Sequence, residues 1–311
     1  MKIEISYFCS FFKIKTGYNL MPAFASFEPS NFCNLRCPEC PVGMHKNLSR
    51  KSELMQFYLF KNIFKELMPT LLHAVFYFQG EPLLNKHFAD MIRFAHRNHV
   101  FTSTSTNAQL LDNHTARLLV EAKLDKLIIS IDGATQATYE QYRVGGSLEK
   151  AIQGAKYVHK WKKLLRRKSP FVEVQCLLLK SNQTQRAEIK RLAKSLHADR
   201  LVFKTAQFYD FQHGNPLMPD NENHCRYRKN NKGKYVIKNK LRNRCHRLWA
   251  GTVLTAGGEI LPCCYDKNAD FSFGFFRGNF KAIWNGKKAN DFRKKILENR
   301  RQFEMCRNCT E

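Results

Sequence analysis

Acidic residues are scarce in this sequence: 26 Asp and Glu stand against 52 Lys and Arg, and the 311-residue chain carries a formal charge of +26. Such a field favours anionic partners, whether nucleic acid, acidic peptide, phosphorylated metabolite or membrane surface. No stretch approaches the roughly 18 apolar residues needed to span a bilayer, so no membrane partner is expected. No internal repeat and no low-complexity tract is visible. No recognisable nucleic-acid module accompanies the basic runs at 160–168, 238–244 and 292–301, which read as solvated helix faces. Histidine pairs at zinc-ligand spacing are missing too, which removes the usual two-cysteine, two-histidine site.

What is present is a chain with 43% apolar residues, enough for one full α/β domain and a small second one. The apolar run Ile5 to Phe12 is broken by Lys13 and Lys15. Export with cleavage near Ala23-Phe24-Ala25 would remove a strand the chain needs, so residues 1–22 are expected as an N-terminal arm. Eleven cysteines would suggest disulfides in a secreted protein, but seven fall into two groups at metal-type spacing. The expected setting is therefore a reducing cytoplasm.

Strand-like and helix-like segments alternate. Strands are expected at Phe24 to Glu28, Ala74 to Phe78, Phe101 to Thr106, Lys126 to Asp132, Val172 to Leu179 and Arg200 to Gln207. Amphipathic helices fall between them, from Glu53 to Leu67 through Gln185 to Leu196. Six such units running one way predict a parallel sheet with helices outside, curled by right-handed crossovers into a partial (β/α)6 TIM-like barrel. Ligands in that architecture gather at the C-terminal ends of the strands. The expected divisions are 23–211 for this core, 212–240 for a polar, Asn-rich linker, and 241–311 for a small cysteine-rich hairpin-and-helix domain.

The first strand delivers CNLRCPEC, with Cys33, Cys37 and Cys40 at C-x3-C-x2-C. Three soft thiolates so close favour zinc, copper(I) or iron–sulfur centres, and three ligands leave one corner of a four-iron cube open. This motif resembles the signature of the radical S-adenosylmethionine (SAM) enzymes, in which SAM chelates the fourth iron. Many members carry an aromatic residue before the last cysteine, to lie against the adenine. This chain has Glu39 instead.

The other strand ends extend the resemblance. Gln79-Gly80-Glu81-Pro82 is similar to the family's GGEP motif, with Gln in place of the first Gly, and implies contact with the SAM amino group. Ser103, Ser105 and Asn107 follow on the third strand, where they either satisfy one another or face a ligand. Period two puts Ser130 and Asp132 on one face of the fourth strand. The resemblance implies that a serine there and Arg143 hold the SAM ribose and carboxylate. Lys204, a charge inside the sixth strand, either snorkels outward or meets an anionic substrate.

The second group is Cys245, Gly258, Cys263 and then Cys306-x2-Cys309. Four cysteines in a 2+2 set suit zinc as well as iron. Beside the first motif the set resembles the SPASM/twitch extension, C-x(9 to 15)-G-x4-C followed by C-x2-C, in its single-cluster form. Cys264 beside Cys263 leaves the ligand open, with the G-x4-C spacing favouring Cys263. Cys9, Cys176 and Cys225 have no partners at ligand spacing. Thr252 to Leu261 is expected as a hairpin and Ala282 to Arg300 as a helix returning Cys306 and Cys309 to it.

The resemblance implies two [4Fe-4S] clusters, one chelated by SAM and one auxiliary, and a low-potential electron donor such as flavodoxin or ferredoxin. It also implies cleavage of SAM to a 5'-deoxyadenosyl radical that takes hydrogen from substrate. Oxidation or cross-linking of a peptide or protein is the first expectation. A radical SAM dehydrogenase acting on an aminocyclitol or sugar-like, possibly anionic molecule is the second, and a zinc-bound nucleic-acid or scaffold protein the third. No peptide-recognition domain is seen before residue 24, which weakens the first.

Overall fold

Alternation along each strand sends one file of side chains outward onto helices, and that outward file builds the core. In the computed structural model, which describes residues 21–44 and 50–309, the first six strands are β1 (Phe24–Phe27), β2 (His73–Val75), β3 (Phe101–Thr106), β4 (Lys126–Ser130), β5 (Phe171–Leu178) and β6 (Arg200–Thr205). They lie side by side in that order and run parallel. The arm expected over 1–22, apart from Met21 and Pro22, and Cys9 within it lie outside the described residues.

Helices α1 (Phe57–Leu67), α2 (Phe88–Arg97), α3 (Asn113–Glu121), α4 (Gln136–Glu140), α5 (Leu148–Leu164) and α6 (Arg186–Ser195) connect the strands. On α1, Phe60, Ile63, Phe64 and Leu67 recur at helical spacing and are buried. Phe27 of β1 meets Phe60 edge-on at 5.0 Å and stacks on Phe76 at 5.8 Å. Contacts of this kind contribute about 0.5–1.5 kcal/mol each beyond their burial. Asp112 caps α3 by accepting from Thr115 N, which is why that helix begins where a period-based reading puts it. Among the described residues no helix is long and apolar enough to cross a membrane.

The C-terminal part does not stand apart from this sheet. Strand β9 (Gly251–Leu254) pairs in parallel with β1, Phe24 opposite Gly251 and Phe27 opposite Leu254. Strands β10 (Glu259–Leu261) and β11 (Gly274–Phe275) follow antiparallel, giving one nine-stranded sheet with β11 and β6 at its edges. The barrel is thus open. A Cβ on Gly251 would fall 1.9 Å from the Phe24 ring, so glycine makes room for that ring.

The polar segment 212–240 carries a hairpin of its own, β7 (Tyr227–Lys229) with β8 (Tyr235–Ile237). Its buried Tyr227 donates through the hydroxyl to Asn308 Oδ1 at 2.8 Å, and Asn308 Nδ2 donates to the Phe208 carbonyl at 2.7 Å. One residue between the last two cysteines therefore ties hairpin, core and C-terminus together. The remaining helices are α7 (Arg247–Ala250), α8 (Phe280–Trp284), α9 (Lys287–Asn299) and α10 (Glu304–Arg307). The helix expected from Ala282 to Arg300 is broken at Asn285 and Gly286. Gly286 takes extended angles as the cap of α9, and a Cβ there would press on the Ala282 carbonyl at 2.9 Å.

Candidate functional site

The loop after β1 is held in place by close backbone packing. Gly80, at φ +66°, sits against it so closely that a Cβ would lie 2.4 Å from the Ser30 carbonyl and 2.6 Å from that of Phe32. Glu81 N donates to the same Phe32 carbonyl at 2.9 Å. Gly43 backs the loop from the other side, where a Cβ would meet Cys37 N and O at 2.5 Å. Between these supports Cys40 N donates to the Cys37 carbonyl at 3.1 Å and closes a turn. Cys33, Cys37 and Cys40 share one apolar cluster with Leu35 and Tyr142. Burial pushes the Cys33 thiol up to about 12, with Glu81, Cys37 and Cys40 close enough to add to the shift. Burial also raises Cys37, and Arg143 opposes it.

Glu81 is buried with both oxygens engaged: Thr106 Oγ1 at 2.7 Å, Asn107 N at 2.9 Å and Leu83 N at 3.2 Å all donate to it. It binds the end of β3 to the end of β2, and burial still raises its pKa. Asn107 turns back to the cysteine loop, its Nδ2 2.8 Å from Asn34 Oδ1 and 3.5 Å from Cys33 Sγ. Ser103 is occupied elsewhere, 2.8 Å from His73 Nε2. Ser105 is half-buried and Ser130 buried, the latter on the face of β4 opposite Leu127 and Ile129. Gln79 is 5% exposed, and its Nε2 is buried with no hydrogen-bond partner.

Asp132 is fully buried and accepts from Arg143 Nε and from Leu177 N, each at 2.6 Å. The guanidinium so anchored lies over Tyr142 and places Nη1 3.9 Å from Cys37 Sγ. Glu39 accepts from Tyr209 N at 3.1 Å and from Asn215 Nδ2 at 2.8 Å. It clasps the cysteine loop to the chain leaving β6. Lys204 projects largely into solvent from β6, and partial burial lowers its pKa.

Cys245, Cys263, Cys306 and Cys309 line a second, small cavity with Leu248, Ile296, Met305 and Arg300. Cys264 is not among its lining residues, and Arg247 Nη1 donates to its sulfur at 3.4 Å. Among the described residues no three His, Cys, Asp or Glu side chains gather as they would around one ion. Four thiols around a cavity, with no histidine or carboxylate in its wall, are a donor set for tetrahedral zinc or for an iron–sulfur centre. Burial raises Cys306 to about 11 even though Arg300 bonds its sulfur. A cleft of about 600 Å³ is lined by Pro41 and Met44, from the segment after Cys40, and by Tyr265, Asp266 and Met305, from the segments that carry the second cysteine group. Cys176 and Cys225 are buried.

Gly80→Ala is expected to destabilise the protein by at least about 1–3 kcal/mol, the usual cost of a strained backbone conformation, and to lower the iron bound per chain. Thermal unfolding and iron content measure both. An unchanged melting midpoint would show that the turn relaxes freely.

Sequence reading missed Glu39's clasp, Gly43 and Arg300. Arg300 sits in a basic run whose composition says surface, and only the two cysteines a few residues later hint otherwise.

Residues 27–162 match the model of the radical SAM superfamily, and residues 245–310 match that of the SPASM iron–sulfur cluster-binding domain. The PqqA peptide cyclase of Gluconobacter oxydans is 24% identical over 182 residues, 58% of this chain and 49% of that protein. The chain spans about half the length of the first curated relatives it matches. The structure of Streptococcus suis SuiB bound to precursor peptide SuiA superposes with a TM-score of 0.64 at 14% identity, covering 94% of this chain and 72% of that one. BtrN in complex with AdoMet and 2-DOIA superposes with a TM-score of 0.54 at 19% identity, covering 94% of both chains.

Proposed function

The chain is a radical SAM protein with a C-terminal SPASM-type domain, and from that membership we propose that it is an enzyme oxidising or cross-linking a side chain of a peptide or protein. The observation that supports this reading is a cleft walled both by the segment that follows Cys40 and by Tyr265 and Met305, which also line the four-cysteine cavity. A substrate lying there has a place for radical formation on one side and a site for electrons on the other. Relatives whose names or bound molecules are peptides support the peptide class.

Cys33, Cys37 and Cys40 would hold three irons of one cluster, and Cys245, Cys263, Cys306 and Cys309 would hold all four irons of an auxiliary one. When bound, SAM at the reduced first cluster supplies a 5'-deoxyadenosyl radical that removes hydrogen from the substrate. Arg143, anchored by Asp132, presents its remaining guanidinium N–H groups beside Cys37, where a carboxylate of SAM finds a planar donor. Gln79 Nε2, orphaned in burial, offers a donor to the same ligand, since an unsatisfied buried amide is costly. Gly80 keeps the β2 end tight against the cysteine loop, and Glu39 keeps the β6 end closed over it. Ser105 and Ser130 add hydroxyls on the strands between. The electron donor would be a low-potential flavodoxin or ferredoxin.

The fit of BtrN to 94% of both chains favours a second reading, a dehydrogenase of a small aminocyclitol or sugar-like molecule. Either reading requires that the reduced protein, reconstituted without oxygen, contain iron and sulfide and convert SAM to 5'-deoxyadenosine. Zinc without sulfide, or no 5'-deoxyadenosine, would leave the scaffold reading standing instead. Product formation on a peptide panel against an aminocyclitol panel then separates the two enzymes.

A further inference from the structure

Arg300 is a cation buried to 2% exposure at the wall of the four-cysteine cavity. Its position is fixed from two directions: its N–H donates to Asn243 Oδ1 at 3.0 Å, and its Nη1 donates to the Arg244 carbonyl at 2.8 Å. Those two residues immediately precede Cys245. So held, Nη2 donates to Cys309 Sγ at 3.1 Å, and the same guanidinium hydrogen-bonds Cys306. Removing a guanidinium from water is costly unless negative charge faces it, and thiolates at this cavity supply that charge.

The first centre is arranged differently. Its arginine, Arg143, is paired with the buried Asp132 at 2.6 Å and comes no nearer to Cys37 Sγ than 3.9 Å with Nη1. Asp132 offsets part of its positive charge at that sulfur. Donors to cluster sulfurs and nearby positive charge favour the reduced, more negative state, and they are among the levers that set cluster potentials.

We propose that Arg300 raises the reduction potential of the auxiliary cluster by donating to the sulfurs of Cys306 and Cys309. The inference rests on the two-cluster reading above. The electron left on a substrate radical then has a downhill destination: the substrate loses one electron, the auxiliary centre gains one, and Arg300 faces the added negative charge. Arg300 is a positioning residue for charge and touches no substrate.

The test uses the full chain with Cys33, Cys37 and Cys40 all replaced by alanine, so that any remaining iron–sulfur signal belongs to the cavity. Its midpoint potential is titrated and followed by electron paramagnetic resonance. Arg300→Gln is expected to lower the one-electron equilibrium constant for reduction at least tenfold, about 59 mV. Arg300→Lys keeps the charge but loses the fork, and its shift should be smaller. A fully loaded Arg300→Gln cluster with unchanged potential overturns the inference. So does loss of the cluster in Arg300→Gln while Arg300→Lys assembles and titrates like the parent, because the residue is then structural only. Absence of iron and sulfide from the parent triple variant refutes the two-cluster reading itself.

Discussion

Cys37→Ala is expected to reduce SAM cleavage to the uncatalysed background, whereas Cys306→Ala retains part of it and makes no product. The first substitution removes a thiolate from the loop where SAM would meet iron, so no electron reaches the sulfonium. The second acts on the four-cysteine cavity, which under the proposed reading collects the substrate's electron and does not cleave SAM. Quantifying 5'-deoxyadenosine and product separately, at matched iron content in the untouched centre, makes the comparison. Equal loss of 5'-deoxyadenosine in both variants would contradict the division of labour between the two thiol groups.

Asp132→Ala should be the most damaging substitution that removes no cysteine. It leaves the Arg143 guanidinium buried without its carboxylate and deprives Leu177 N of an acceptor. Breaking a buried pair from one side typically costs about 3–5 kcal/mol. The apoprotein's urea midpoint should fall accordingly, and SAM affinity should fall with it as Arg143 loses its aim beside Cys37. Asp132→Asn should not rescue, because an amide satisfying Leu177 N turns an N–H toward Arg143. A wild-type midpoint for Asp132→Ala would show that Arg143 finds another anion or escapes to water.

Much of this was readable before any coordinates. Six strand-helix units follow from the alternation of short strand-like with amphipathic helix-like segments, and Phe101–Thr106 begins and ends where expected although it carries no apolar file. Other features depend on contacts between residues far apart in the chain. Nothing local in Thr252 to Leu261 says that its first strand will extend the sheet beside β1; register with a strand more than two hundred residues earlier decides that. Glu39 looks like a missing aromatic in the sequence, yet the structure gives its carboxylate two donors beyond β6. Asp132, expected among ligand-facing residues, has both oxygens committed to the protein itself. Arg300 is hidden by its neighbours, since a one-dimensional reading cannot tell which cation of a basic run turns inward.

The parallel pairing of β1 with β9 has a consequence for electron flow. β1 runs directly into the loop of Cys33, and the hairpin of β9 and β10 runs directly into Cys263. Because β10 runs back antiparallel to β9, Cys263 leaves the sheet toward the end where β1 begins, while Cys33 follows the end where β1 finishes. Under the two-cluster reading, the segments that carry the two thiol groups are tied through one continuous sheet, and the electron's path between them is framed by that sheet and not by the polar segment 212–240.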